Sequence, residues 1–183
     1  MIGDFNEDRN YMLGVGNEFP DIFLQGVDEN NSIVEISNMS VPEGDNWQVI
    51  FFYPKDFTFI CPTEIAKMDK LIDEGVSVFG ISGDNEYCKL NWKQTNDQIK
   101  DIRYPLLADC GLRLAGELGI VNTSEGVCYR ATYIVDPHNI IQHVSVNALD
   151  TGRNANEVLR TLQALKAGGL TGCEWQPGED FVA

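Results

Sequence analysis

The sequence is poor in basic residues and in histidine, and it has no long hydrophobic run. Its 183 residues include 13 Lys and Arg against 28 Asp and Glu, which gives a net charge of −15. This charge argues against nucleic acid and anionic membrane surfaces as partners, because both repel an acidic protein. No segment reaches the ~20 apolar residues that a membrane-spanning helix needs. The acidic first residues carry no apolar stretch, so we expect no signal peptide and a cytoplasmic location.

Metal-ligand spacing is also missing. The two histidines, His138 and His143, lie apart from every cysteine along the chain, so we expect no metal site. In a reducing compartment, the five cysteines indicate catalytic, redox or structural thiols rather than a disulfide scaffold.

Cys61 lies in the most informative stretch of the chain, between a predicted strand and a predicted helix. Residues 49–53 have the β-branched and aromatic character of a buried strand. Residues 62–74 carry apolar side chains at helical spacing, and Pro62 suits the first helical position. Cys61 is therefore predicted to be the N-cap residue. There the free N–H groups and the helix dipole favour the thiolate, which is the reactive form.

The remaining periodicity predicts an α/β domain with a mixed sheet. Further strands are predicted at 76–82, 106–108, 128–135 and 140–146, further helices at 86–96, 110–118 and 154–167, and a hairpin near 28–31. Parallel strands come first and an antiparallel pair comes last. We expect one domain over residues 1–167 and a C-terminal tail over residues 168–183.

Pro54, Thr58 and Cys61 form the pattern Pro-x-x-x-Thr-x-x-Cys, which resembles the peroxiredoxin signature. The flanking Phe57-Thr58-Phe59 and Cys61-Pro62-Thr63-Glu64 look like the alkyl hydroperoxide reductase C type, and the chain is similar to its actinobacterial form. The resemblance spans residues 14–175. It implies a thioredoxin-like fold, with a mixed sheet flanked by helices, and a thiol peroxidase that needs no cofactor beyond its own thiols.

The resemblance also implies a role for each residue of the motif. Cys61 would attack the hydroperoxide, Thr58 would orient it beside the sulfur, and Pro54 would shield the loop from water. Arg130, in an Arg-x-Thr-aromatic-Ile-Val-Asp-Pro context, would stabilise the thiolate. Glu64 falls one helical turn after Cys61 and could hold the Arg130 guanidinium through a bidentate pair.

Cys173 is implied by the resemblance to be the resolving cysteine of the two-cysteine class. It would condense with oxidised Cys61 of a partner subunit, and an external dithiol would reduce the disulfide. The chain departs from the common pattern, because Gly172 and Glu174 replace the Val and Pro that many members carry. Thr171 stands where actinobacterial members have a further cysteine. An alkylhydroperoxidase D-like protein, thioredoxin and a flavin-dependent reductase all remain possible reductants.

Cys88, Cys110 and Cys128 are predicted to be structural thiols. By resemblance we expect a homodimer, assembled into a ring of dimers, and a site that resists over-oxidation. A disulfide oxidoreductase is a weak alternative, because no second cysteine follows Cys61 at Cys-x-x-Cys spacing. A holdase chaperone or peroxide sensor on the same fold is the other alternative, and it could coexist with catalysis.

Overall fold

A seven-stranded sheet organises the computed structural model, which describes residues 11–38 and 46–183. The strands of this sheet are β1 (Phe23–Val27), β2 (Ile33–Ser37), β3 (Gln48–Phe52), β4 (Ser77–Ser82), β5 (Leu106–Ala108), β8 (Arg130–Val135) and β9 (Ile141–Asn147). A separate short pair consists of β6 (Val121–Asn122) and β7 (Val127–Cys128). The helices are α1 (Cys61–Met68), continued by a 3₁₀ segment (Asp69–Glu74), α2 (Glu86–Thr95), α3 (Arg113–Leu118) and α4 (Ala155–Ala167).

The sheet is mixed, as the sequence predicts. Its order is β2-β1-β5-β4-β3-β8-β9. Strands β3, β4 and β5 run parallel, while β8 and β9 add an antiparallel pair at one side. The predicted hairpin joins β1 to β2 at the other side. The carboxyl ends of the three parallel strands therefore meet at one edge of the sheet.

Strand β3 is buried on both faces, which explains its unbroken apolar sequence. Val49, Phe51 and Tyr53 pack into a cluster that includes residues of α1, α2 and α4. Ile50 and Phe52 pack into the opposite cluster, which includes residues of α3. Alternation along one strand thus serves two cores, with α1 and α4 sharing a face of the sheet.

Strand β8 brings Arg130 to the end of β3 from which the chain continues towards α1. The two strands are antiparallel, with Phe51 opposite Thr132, so β8 begins beside the point where β3 ends. Ile134 packs into the cluster that contains α1. Alternation along β8 places Arg130 and Thr132 on that same face. This register delivers a cation to the start of α1.

The predicted N-cap role of Cys61 is wrong. Ile60 is the N-cap residue of α1 and makes no side-chain cap hydrogen bond, and Cys61 is the first helical residue. The Ile60 carbonyl already accepts the backbone N–H groups of Thr63 and Glu64, at 3.0 and 3.3 Å. The helix therefore starts one residue earlier than the position of Pro62 suggests.

Two other predicted boundaries also shift. The helix predicted over 110–118 begins only at Arg113, because Gly111 and Leu112 adopt left-handed backbone with φ of 81° and 57°. Cys110 therefore lies in a turn and does not begin a helix. The strand predicted over 128–135 is interrupted at Tyr129, because Cys128 pairs with β6 whereas Arg130 pairs with β9.

Gly26 marks a close approach between β1 and β5, and we expect Gly26→Ala to destabilise the fold. An added Cβ would lie 2.5 Å from the Leu106 carbonyl oxygen and 2.6 Å from a methyl carbon of Leu107. Because the carbonyl belongs to the backbone, we expect the free energy of unfolding to fall by about 1–3 kcal/mol in urea titrations.

Gly116 in α3 supplies the matched control, since nothing lies within 4 Å of its added Cβ. We expect Gly116→Ala to raise the free energy of unfolding by about 0.4–1 kcal/mol. A Gly26→Ala variant that unfolds at the wild-type urea concentration would contradict the packing argument.

Candidate active site

Cys61 is fully buried, and its sulfur receives a hydrogen bond from a guanidinium group. The Nη1 atom of Arg130 lies 3.3 Å from the Cys61 Sγ atom and 2.7 Å from Oε2 of Glu64. The Nε atom of Arg130 donates to the Leu149 carbonyl oxygen at 2.7 Å. Two anchors thus fix the guanidinium while it points a donor at the sulfur. The structure brings together Cys61, Glu64 and Arg130, which the sequence singled out separately.

A second arginine, Arg153, shares the carboxylate of Glu64. Its backbone N–H and its Nε donate to Oε1 of Glu64 at 2.9 and 3.0 Å, and its Nη2 lies 3.2 Å from Oε2. The side chains of Glu64, Arg130 and Arg153 are only 2%, 5% and 4% exposed. The group forms a buried ionic cluster, which we define as Glu64, Arg130 and Arg153.

Arg153 also ties the ends of two strands together. Its Nη1 donates to the Ala131 carbonyl oxygen at 2.9 Å and to the Thr132 hydroxyl at 3.1 Å, and its Nη2 donates to the Phe52 carbonyl oxygen at 2.6 Å. Its guanidinium lies 5.0 Å from the centroid of the Phe51 ring. Arg153 was not predicted to be a site residue, because an arginine in a polar connection before a helix is usually solvated.

The buried ionic cluster carries a net positive charge, which only an anionic Cys61 sulfur among these groups would cancel. Burial raises the pKa of the Glu64 carboxyl, but Arg153 and then Arg130 more than offset it, so the pKa lies below its ordinary value. Glu64 is therefore a carboxylate facing two guanidinium groups. A Cys61 thiolate would bring the sum of these four charges to zero. Because unbalanced buried charge is costly, the cluster suits an anion at the position of the sulfur.

Pro54 and Thr58 lie in the connection between β3 and α1, which we call the 54–60 loop. Pro54 is buried and Thr58 is half-buried. The Thr58 hydroxyl donates to the Lys55 carbonyl oxygen at 3.0 Å. Within the described chain it makes no hydrogen bond to the Cys61 sulfur. Its oxygen can still accept a hydrogen bond from an incoming hydroperoxide, so the role of Thr58 stays a prediction.

Cys173 is exposed, in a tail that folds onto itself and onto α4. Trp175 is 6% exposed and stacks on Phe181, with ring centroids 6.2 Å apart. The indole N–H of Trp175 donates to the Glu179 carbonyl oxygen at 3.1 Å, and Arg160 donates to the Trp175 carbonyl oxygen at 3.3 Å. Cys61 and Cys173 are both free thiols, one buried and the other at the surface.

The other three thiols differ from Cys61 in their surroundings. Burial raises the pKa of Cys128 to about 12, and its thiol donates to the Tyr53 carbonyl oxygen at 3.1 Å. Burial, followed by Asp56 and Asp84, raises the pKa of Cys88 to about 11. Burial also raises the pKa of Cys110. Cys88 and Cys128 are therefore protonated at neutral pH, which makes them weak nucleophiles.

Within residues 11–38 and 46–183, no three His, Cys, Asp or Glu side chains are grouped so that they could hold a metal ion. No helix there combines the length and the apolar character that crossing a bilayer requires.

Known proteins resemble this chain in both sequence and fold. The AhpC/TSA family model matches residues 15–144. Alkyl hydroperoxide reductase C of Mycolicibacterium smegmatis is 37% identical over 188 aligned positions, which cover 93% of this chain and 94% of the relative. The Mycobacterium tuberculosis protein of the same name is 44% identical over 137 positions, covering 73% and 70%. The solved structure of reduced 2-Cys peroxiredoxin from Plasmodium vivax gives a TM-score of 0.84 at 31% identity, covering 92% of each chain.

The chain belongs to the AhpC/TSA family. The thioredoxin-like peroxiredoxin fold expected from the sequence is confirmed, with its mixed sheet and flanking helices.

Replacing Glu64 by Gln removes a carboxylate from two buried arginines. We expect Glu64→Gln to lower the free energy of unfolding at pH 7 by about 3 kcal/mol, because two guanidinium groups lose their counter-ion. The pKa of Glu64 is depressed in the fold, so its contribution is fully present above the ordinary value of 4.5 and is lost as the pH falls through the folded value. Wild type and variant should therefore converge in acid, as measured by urea unfolding at a series of pH values.

Glu157 provides the control for this prediction. Its carboxylate pairs with Arg160 but is 56% exposed, so Glu157→Gln should change the free energy of unfolding by no more than about 1 kcal/mol. Equal effects of the two substitutions at pH 7 would refute a special contribution from the buried ionic cluster.

Proposed function

We propose that this chain reduces hydroperoxides through Cys61 and is resolved by Cys173 of a partner subunit. Its relatives are named alkyl hydroperoxide reductases and peroxiredoxins, and the chain is accordingly a thiol-dependent peroxidase. The observation that carries the assignment of Cys61 is the hydrogen bond from Arg130 to its sulfur, inside a buried cluster whose charge an anionic sulfur would balance.

The first step is nucleophilic attack on the peroxide. The Cys61 thiolate attacks the terminal oxygen of the hydroperoxide, the S–O bond forms and the O–O bond breaks. The sulfur becomes a sulfenic acid, and the alkoxide or hydroxide leaves and takes up a proton to become an alcohol or water. The sulfur loses two electrons and the peroxide gains them.

Arg130 and the 54–60 loop fit the demands of this step. Negative charge moves from the sulfur to the leaving oxygen, and a cation held against the sulfur can stabilise that charge throughout. The Arg130 guanidinium is already fixed by Glu64 and by the Leu149 carbonyl oxygen, so little reorganisation is needed. The Thr58 oxygen can accept a hydrogen bond from the hydroperoxide, and buried Pro54 limits the access of water to the site.

The second step joins two subunits. The Cys173 thiol attacks the Cys61 sulfenic acid, so a disulfide forms and water leaves. Because Cys61 is 0% exposed, its sulfur must become accessible before a thiol of another chain can reach it. A dithiol reductant then restores both thiols by exchange and is itself oxidised to a disulfide. An alkylhydroperoxidase D-like protein, thioredoxin and a flavin-dependent reductase remain the candidate reductants.

The same assignment leads us to propose a homodimer, assembled into a ring of dimers, that works in the cytoplasm. Resolution by a partner's Cys173 requires at least two chains. The bacterial alkyl hydroperoxide reductase C relatives support the cytoplasmic location. The alternative of a holdase chaperone or peroxide sensor gains no specific support from the described site.

One equivalent of hydrogen peroxide per chain tests both cysteine roles. We expect the wild-type protein to give a covalent dimer containing a Cys61–Cys173 peptide in mass analysis without reductant. Cys173→Ser should retain one oxygen on Cys61 and give no dimer, and Cys61→Ser should consume no peroxide. Cys88→Ser is the control, because the raised pKa of that thiol predicts wild-type behaviour. Dimer formation by Cys61→Ser, or an unmodified wild-type chain, would rule out the assignment.

The rate of Cys61 oxidation tests Arg130. We expect Arg130→Gln to slow oxidation by hydrogen peroxide about 100-fold, since one preorganised donor to the reacting sulfur is lost. Rapid quenching with a thiol reagent followed by mass analysis measures this step alone. Arg113→Gln is the control, because that arginine is 55% exposed and pairs with Glu117, outside the buried ionic cluster. Similar rates for Arg130→Gln and the control would remove Arg130 from the mechanism.

A further inference from the structure

A second buried ion pair joins α2 to the 54–60 loop, which leads into Cys61, and the proposed reaction does not use it. Lys89 of α2 is 0% exposed, as is the side chain of Asp56 in the 54–60 loop. The Lys89 ammonium donates to the Asp56 carboxylate at 3.2 Å, to the Tyr53 hydroxyl at 3.1 Å and to the Ser82 hydroxyl at 2.5 Å. Ser82 in turn donates to Asp56 at 2.9 Å. Every proton of the ammonium is therefore used inside the protein.

The pair anchors the loop that leads into Cys61. The backbone N–H of Asp56 donates to the Asp84 carboxylate, which follows β4, at 2.8 Å. The next residue, Phe57, takes a left-handed backbone with φ of 55° and packs on Trp92 of α2 at a centroid distance of 5.8 Å. The contacts of these two loop residues tie the loop to the end of β4 and to α2. Pro54 and Thr58 lie on either side of this attachment point.

A buried ion pair of this kind is a poor source of net stability, because the desolvation of two charges cancels most of their attraction. Its directional hydrogen bonds do fix one arrangement of the groups that they join. Those groups belong to the loop, to Tyr53 just before it, to β4 and to α2, whereas the buried ionic cluster belongs to α1, β8 and the segment before α4. Separate ion pairs therefore hold the residues that precede Cys61 and those that follow it.

The proposed function, on which this inference rests, needs the loop in two arrangements. Cys61 must be enclosed when peroxide reacts and exposed when Cys173 attacks. We propose that Lys89 is a positioning residue that holds the 54–60 loop closed through Asp56, and that it thereby sets the rate at which oxidised Cys61 becomes accessible to Cys173.

A competing reaction makes this rate important. While the site stays closed, the Cys61 sulfenic acid can meet a second hydrogen peroxide, which oxidises it to a sulfinic acid and releases water. A tighter anchor lengthens the enclosed state and favours this side reaction. A weaker anchor favours formation of the Cys61–Cys173 disulfide. It also leaves the 54–60 loop less ordered while Cys61 reacts with the first hydroperoxide.

The test compares neutralised and intact pairs in the full chain. Lys89→Met alone leaves a buried carboxylate without its cation, so the decisive variant is Lys89→Met combined with Asp56→Asn. Ser82→Ala is a milder variant that removes one hydrogen-bond partner from both ions. Lys93→Met is the matched control, because Lys93 is also a buried lysine of α2 but its ammonium bonds to the Asp28 carbonyl oxygen, away from the loop.

Rapid quenching measures two rates separately, namely oxidation of Cys61 and formation of the Cys61–Cys173 disulfide, and mass analysis gives the sulfinic acid fraction at excess peroxide. We expect the double variant to form the disulfide about tenfold faster, as for loss of a charged hydrogen bond. It should also oxidise Cys61 more slowly and give less sulfinic acid. Ser82→Ala should change all three values in the same direction by less.

Two results would overturn the role of Lys89. One is a double variant, folded by circular dichroism, with the wild-type disulfide rate and sulfinic acid fraction. The other is an equal change in Lys93→Met, which would indicate general destabilisation. If the double variant does not fold, a Ser82→Ala variant with the wild-type disulfide rate and sulfinic acid fraction would overturn the role of Lys89 instead. A wild-type chain that forms no Cys61–Cys173 disulfide would instead refute the proposed function, and this inference with it.

Discussion

The carboxylate of Glu64 holds together three parts of the chain that are far apart in sequence. It accepts hydrogen bonds from Arg130 at the start of β8 and from Arg153 just before α4, while Glu64 itself lies in the first turn of α1. Because all three groups are almost fully buried, none can be satisfied by water instead. The position of Cys61 relative to its guanidinium donor therefore depends on this carboxylate, together with the Leu149 carbonyl oxygen that also holds Arg130.

The buried ionic cluster affects both the stability of the fold and the surroundings of the Cys61 sulfur. Two guanidinium groups and one carboxylate leave a positive charge in a buried place. A protein interior tolerates such an imbalance poorly, and an anion at the position of the Cys61 sulfur would remove it. The hydrogen bond to the sulfur comes from Arg130 and not from Arg153. Arg153 nevertheless supports Arg130, because it binds the same Glu64 carboxylate and holds β3 and β8 together.

Local patterns in the sequence predicted the strands of the seven-stranded sheet and most helices, and the resemblance supplied the Pro-Thr-Cys motif; the short strand β6 was not predicted. Apolar periodicity reports which side chains are buried, and the strand at 49–53 and the last helix followed from it directly. Errors arose where backbone geometry decided the outcome, as at Leu112, whose left-handed conformation delays α3. No local pattern pointed to Arg153 or Lys89. Their partners lie 89 and 33 residues away, so their burial depends on tertiary packing that no local pattern records.

The C-terminal tail is held in place by contacts separate from those around Cys61. Trp175 stacks on Phe181 and bonds to Glu179 within the tail, and Arg160 of α4 holds the Trp175 carbonyl oxygen. None of these contacts involves the groups that surround Cys61. A substitution beside Cys173 would therefore alter the surface around that exposed thiol and leave the hydrogen bonds around Cys61 intact. In this fold the tail can vary in its surface chemistry independently of the buried ionic cluster.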